Sequence, residues 1–157
     1  MYARVRRSGW DISDPFSGMR FVDVSLARNV AELEFSDTFA AVDKSRDLEA
    51  SLRIAAVGSS VRGRFVLKQL EVEGVRSALN LDGVSEAFRM ELTESTQDGV
   101  AGGRDTTEVV ATRSEVQRLC ALGELSVVAR EGSSIGLRPT CESSSVSLDV
   151  DSSSRVE

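Results

Sequence analysis

A chain of 157 residues, 41% of them hydrophobic, is long enough for one domain with a real core, or for two small halves that share one. A formal net charge of −6 and a pI near 4.8 set its surface against phosphate backbones and argue against nucleic acid as the main ligand. Its longest apolar runs, such as Ile54-Ala55-Ala56-Val57, fall far short of the ~20 residues that a membrane-spanning helix needs.

Residues 1–18 read as an N-terminal arm, made basic by Arg4, Arg6 and Arg7. No secretory signal is visible, because Met1 to Ser8 leads into no apolar stretch. A β-rich domain is expected over residues 19–138, since its apolar residues recur mainly with period two. Val22, Val24 and Leu26 alternate with polar neighbours. After a turn at Arg28-Asn29, so do Ala31, Leu33 and Phe35, which predicts a hairpin with one wet face. Thr38 to Ser45 fits a short helical turn capped by Asp37. Leu48 to Ala56 alternates again, Gly58-Ser59-Ser60 breaks the run, and Val61 to Val72 resumes it with a phase slip between Leu67 and Leu70, where a bulge fits.

Asp82-Gly83 lies between two alternating runs, the pattern of a type I′ hairpin turn. Pairing across it sets Leu81 beside Val84, Ser77 beside Phe88 and Val75 beside Met90, and gathers Val75, Leu79, Leu81, Val84, Phe88 and Met90 on one face. Residues 95–105 carry Gly99, Gly102 and Gly103 and read as a flexible loop joining halves 19–94 and 106–138. Ser114 and Gln117 have capping-box spacing, which predicts a helix over Glu115 to Leu122 ending at Gly123 and burying Val116, Leu119 and Cys120. There Cys120 is expected as an inert buried thiol. Leu125 to Ala129 and Ile135 to Leu137 read as a further hairpin about Gly132-Ser133-Ser134. Residues 139–157 form a Ser-rich tail with a last strand, in which Val146, Leu148 and Val150 alternate with Ser145, Ser147 and Asp149. The expected fold class is therefore mainly β, antiparallel hairpins in a sandwich or barrel-like sheet with one or two short helices. Ile54 to Val61 echoes Val127 to Ile135 with one insertion, as a duplicated hairpin–helix–hairpin unit would.

The chain contains no histidine, which removes Ser-His-Asp and Cys-His catalysis and every His-containing metal site. This matters for Gly132-Ser133-Ser134-Ile135-Gly136, which matches the G-x-S-x-G of a nucleophile elbow. No imidazole is present to take the serine proton, and neither Lys44 nor Lys68 stands at S-x-x-K spacing. The pairs Glu32/Glu34, Glu71/Glu73 and Asp149/Asp151 each fall on one face of a strand, not across a cleft. Asp149, Asp151 and Ser153 imitate the opening of a calcium loop without its glycine or closing glutamate. The glycines of 99–104 lack the Gly-Lys-Ser/Thr of a phosphate loop. No catalytic, cofactor-binding or metal-binding residue is assigned, and no cofactor.

Of the 19 basic residues only Lys44 and Lys68 are lysines. This bias fits both a GC-rich genome and two-point contacts with carboxylates at interfaces. Extended strands, polar termini and the missing catalytic set point to a non-enzymatic structural or assembly protein. Its partners would be copies of itself or other protein subunits of a large assembly, with no nucleic acid as main ligand and no membrane. The apolar rhythm of Phe21 to Phe39 loosely resembles that of β-rich phage tail-hub domains. A virion component, capsid-associated or from a phage tail, is the expectation, with the cytoplasm as the other location. The alternative is a small β-domain that binds a peptide or small molecule, and an enzyme working with carboxylates alone comes third.

Overall fold

A computed structural model describes residues 2–6, 20–24 and 32–157, with the backbone alone for 2–6, 20–24 and 43–45. In chain order the strands are β1 (Tyr2–Arg6), β2 (Arg20–Val24), β3 (Glu32–Ser36), β4 (Thr38–Val57), β5 (Ser60–Val75) and β6 (Ala78–Thr93). They continue with β7 (Thr96–Thr112), β8 (Glu115–Leu119), β9 (Glu124–Arg130), β10 (Ser134–Leu137), β11 (Ser145–Val150) and β12 (Arg155–Val156). Every pairing between them is parallel, and no helix occurs among the described residues.

Parallel neighbours joined by one- or two-residue connections, as from β3 to β8, leave the chain one option. Each strand must itself bend around and bring its end back over its own beginning. The fold is thus a β-solenoid of about seven turns. A front face stacks β1, β3, the second halves of β4 to β7, β9 and β11. A back face stacks β2, the first halves of β4 to β7, β8, β10 and β12.

The interior is built from columns of like residues, one per coil. Leu33, Ile54, Val72, Met90, Val109, Val127 and Leu148 form one front column. Leu52, Leu70, Phe88, Thr107, Leu125 and Val146 form the next. On the back face Ala40, Val61, Leu79, Gln97, Val116, Ile135 and Val156 align. The buried Gln97 is fully satisfied there: its Nε2 donates to the carbonyls of Leu81 (2.7 Å) and Gly99 (3.1 Å), and its Oε1 accepts from the Leu81 N–H (3.2 Å).

A further column is polar and marks the corner between the faces. Thr38, Ser59, Ser77, Ser95, Ser114 and Ser133 are all buried. Each serine hydroxyl, and that of Ser154 after them, accepts the N–H of its counterpart one coil earlier, at 3.0–3.2 Å and a spacing of 18 to 21 residues. The hydroxyls of Ser59, Ser77, Ser95 and Ser114 also donate to the carbonyl two residues back. Just before the serine the chain takes a positive φ, at Gly58, Arg76, Glu94 and Arg113. A tight corner needs that conformation, and the hydroxyl satisfies backbone groups the corner removes from the ladder. Ser95→Ala should therefore cost about 1–3 kcal/mol, because it strands the buried Ser77 N–H, while the Thr93 carbonyl keeps its bond from the Arg76 N–H. The half-buried Ser60→Ala should cost under about 0.5 kcal/mol. Urea midpoints of the two variants check this.

The antiparallel sandwich or barrel expected from the sequence does not form. Alternation of period two is the same for a coil stacked in parallel as for a hairpin arm, so it does not carry strand direction. The strands β2 and β3 pair not with each other but with β4; the turn placed at Arg28-Asn29 lies outside the described residues. Asp82-Gly83 is mid-strand in β6, matched to Arg64 on one side and Ala101 on the other. Thr38 to Ser45 opens β4 instead of a helical turn, and Glu115 to Leu119 is β8, with Ser114 a rung of the hydroxyl column instead of a helix cap. Residues 95–105, expected as a flexible boundary, run into the 17-residue β7. A Cβ on Gly99 or Gly102 would lie 2.1 Å from the carbonyl oxygen of Leu81 or 1.7 Å from that of Cys120, so these glycines allow one coil to lie on the next. Leu125 to Ala129 and Ile135 to Leu137 are successive faces of one coil, not a hairpin.

The duplication is in fact a repetition at every coil. The phase slip between Leu67 and Leu70 does correspond to a corner: Lys68 and Gln69 are both exposed, and the β4–β5 register shifts there. The last strand expected around Val146 to Val150 is β11. Cys120 is buried but is not a free thiol: it is bonded to Cys141, with the Cα atoms 5.3 Å apart, and so ties one coil to the next.

Candidate functional surface

The solenoid turns every second side chain outward, and stacking sets outward residues of successive coils about 4.8 Å apart. The sequence uses this spacing for charge alternation. Along the front face one column reads Glu32, Arg53, Glu71, Arg89, Glu108. Arg53 bonds Glu32 at 2.6 Å and, from the adjoining column, Glu73 at 2.7 Å, with Glu71 at 3.9 Å; Arg89 meets Glu108 at 3.9 Å. The hydrogen bond to Glu32, then the charges of Glu73, Glu32 and Glu71, raise the Arg53 pKa against the desolvation that lowers it. A shorter alternation runs along the corner, where Arg113 bridges Glu94 (3.0 Å) and Glu131 (3.1 Å). These pairs are half exposed, so each is worth well under 1 kcal/mol. Their larger effect is on register, because a one-coil slip would oppose like charges.

The C-terminal end differs. In β11, Val146 and Leu148 occupy the same columns as the buried Leu125 and Val127, yet they are 54% and 49% exposed because no coil lies on them. Around this open end Asp149 accepts from Arg130, and Asp151 accepts from the Glu131 N–H at 2.7 Å and from Ser153, whose hydroxyl lies at 2.9 Å and N–H at 3.1 Å. Asp149 is held below its ordinary pKa by the Arg130 hydrogen bond, and Asp151 lies well below the carboxylate range because the Glu131 N–H and the Ser154 and Ser153 groups donate to it. A carboxyl depressed on folding stabilises the fold above its unfolded pKa of about 3.9 and loses that contribution as pH falls through the folded value. Amide resonances of residues 145–157 should thus shift and broaden below pH about 4 while those of β5 and β6 hold, and Asp151→Asn should flatten the response.

The residues singled out by chemistry fall as follows. In Gly132-Ser133-Ser134-Ile135-Gly136, Ser133 is a rung of the hydroxyl column, and the Ser134 hydroxyl accepts from Arg155 at 3.0 Å in β10, with no strand-to-helix elbow. Asp149, Asp151 and Ser153 do come together, but as a hydrogen-bonded turn. No group of three or more His, Cys, Asp or Glu side chains arranged to hold a metal occurs among the described residues. A front-face depression of about 390 Å³ lies beside Glu34, Arg53, Val57 and Glu73, and Arg53 is already held by acids. No family model, curated protein or solved structure matches this chain. The expectation of a virion component, including the likeness of Phe21 to Phe39 to tail-hub domains, thus finds no support, and the described residues of that stretch belong to β2, β3, the start of β4 and the corner at Asp37, all in a parallel stack.

Alternating charges one coil apart, and the open end itself, were not anticipated from sequence. The signal for both was present: Val57-Gly58-Ser59, Val75-Arg76-Ser77, Thr93-Glu94-Ser95 and Thr112-Arg113-Ser114 recur at coil spacing.

Proposed function

We propose that this chain is a non-enzymatic structural subunit, a stiff solenoid that joins a larger assembly through its sheet edges. The observation that carries this reading is the uncovered front edge of β11, where Val146 and Leu148 continue buried columns but are half exposed. An unpaired parallel edge with its apolar side chains in core register is a template for another strand. The absence of histidine and the use of acids in register-setting pairs support a role without catalysis. The Cys120–Cys141 bridge supports an oxidising location over a reducing one.

Sedimentation of the intact protein over a wide concentration range tests the reading. Species larger than the monomer are expected, and Val146→Asp with Leu148→Asp should return them to monomer with an unchanged β spectrum. A wild type that stays monomeric at high concentration, alone and with candidate partners, and is indistinguishable from the double variant would overturn it.

A further inference from the structure

We propose that the back face carries an oxyanion site, built from Arg62 and Arg64 of β5 with Asn80 of β6, that takes the phosphate or sulfate group of a ligand. It lies on coils distant from β11 and does not depend on the assembly reading. Residues two apart on one strand turn to the same side. Arg62 and Arg64 are therefore outward neighbours about 6.6 Å apart, both exposed, while Val61 and Phe65 are buried in the core. They border a depression of about 350 Å³, with Ala41 and Val42 on the β4 side and Asn80 and Asp82 on the β6 side.

This pair is set apart from the arginines of the front face. Arg53 and Arg89 each meet an acid one coil away. Arg62 instead has Ala41 on one side and Asn80 on the other, both uncharged. Arg64 lies beside Asp82, but that carboxylate accepts the Val100 N–H of the next coil at 2.9 Å. Among the described residues no ion pair joins either arginine to an acid, and the exposed Asn80 amide has no hydrogen bond. Two guanidinium forks and an amide thus offer unused donors to one depression from two adjacent strands. A carboxylate is filled by a single fork in its own plane. The oxygens of phosphate or sulfate leave any one plane and can accept from both forks and the amide. The net charge of −6 does not oppose this, because a single group meets the local field only, whereas a nucleic-acid backbone would lay further phosphates on the surrounding acids.

Titration of the isotope-labelled protein with sodium phosphate, followed by NMR at an ionic strength held constant with sodium chloride, tests the proposal. The side-chain N–H resonances of Arg62, Arg64 and Asn80 should shift and saturate. R62Q and R64Q should each weaken binding about tenfold, as loss of a hydrogen bond to a charged group does. R89Q, on the front face, should leave it unchanged. Sodium sulfate should bind at the same resonances, and sodium acetate at least about tenfold more weakly. Lowering the pH from about 7.5 to about 5.5 should weaken phosphate, which becomes a monoanion, and leave sulfate as it was. The tighter of the two at the higher pH tells a phosphate source from a sulfate one. Shifts that never saturate, or that chloride alone reproduces, overturn the proposal, as does a loss on R89Q equal to that on R62Q. Acetate as tight as phosphate overturns the assignment to a tetrahedral group.

Discussion

Replacing Gly83 by alanine should cost at least about 4 kcal/mol, or prevent the native coil from forming. Two effects add at this position. Its φ of +129° lies outside the range an L side chain adopts readily, and a Cβ built there would lie 1.7 Å from the carbonyl oxygen of Phe65 in the coil below. That neighbour is backbone, held by its own ladder, and cannot rotate away. Gly132 separates the two effects: its φ is +81°, but nothing lies within 4 Å of an added Cβ, so Gly132→Ala should cost only the strain of about 1–2 kcal/mol. Urea unfolding followed by circular dichroism gives both values. Equal costs would mean that the close contact between coils is not what holds Gly83.

Removing the Cys120–Cys141 bridge should lower stability by about 3 kcal/mol, the chain-entropy value for a closed loop of this size. The loss should be local. In a solenoid each coil contacts only its neighbours, so stability is close to a sum of terms between adjacent coils. With Cys120→Ala and Cys141→Ala, or with reductant, hydrogen exchange should accelerate over β8 to β12 and stay unchanged over β5 and β6. The C-terminal coils are where such a bridge matters most, because β11 is covered on one side only and its Val146 and Leu148 contribute little burial. Uniform acceleration across all coils would show instead that the fold unfolds as a single cooperative unit.

The extent to which this protein was legible in its sequence can be seen at Leu79, Leu81, Phe88 and Met90. Period-two alternation placed them on one apolar face, and all four are buried. The same reasoning read the Asp-Gly step between them as a reversal, and there the chain continues through β6 from the back face to the front face without reversing. Asp82 and Gly83 have roles that local propensity does not register. The Asp82 carboxylate accepts the Val100 N–H of the next coil at 2.9 Å, and Gly83 leaves room for the Phe65 carbonyl. Likewise Ser114 has the neighbours of a helix cap, but its hydroxyl is used by the Ser95 N–H of the preceding coil at 3.0 Å.

By itself the sequence determined that most of the chain is extended, that Leu79, Leu81, Phe88 and Met90 face inward, and that neither imidazole chemistry nor an apolar spanning helix is available to it. Strand direction, the bridge between the two cysteines, the pairing of Arg53 with Glu32 and Glu73, and the exposed end at β11 were decided only by tertiary structure. The physical reason is that alternation is a property of one strand, whereas parallel stacking is a relation between residues 18 to 21 apart. The energy that selects it, buried hydroxyl columns and backbone contacts through glycine, exists only once one coil lies on the next.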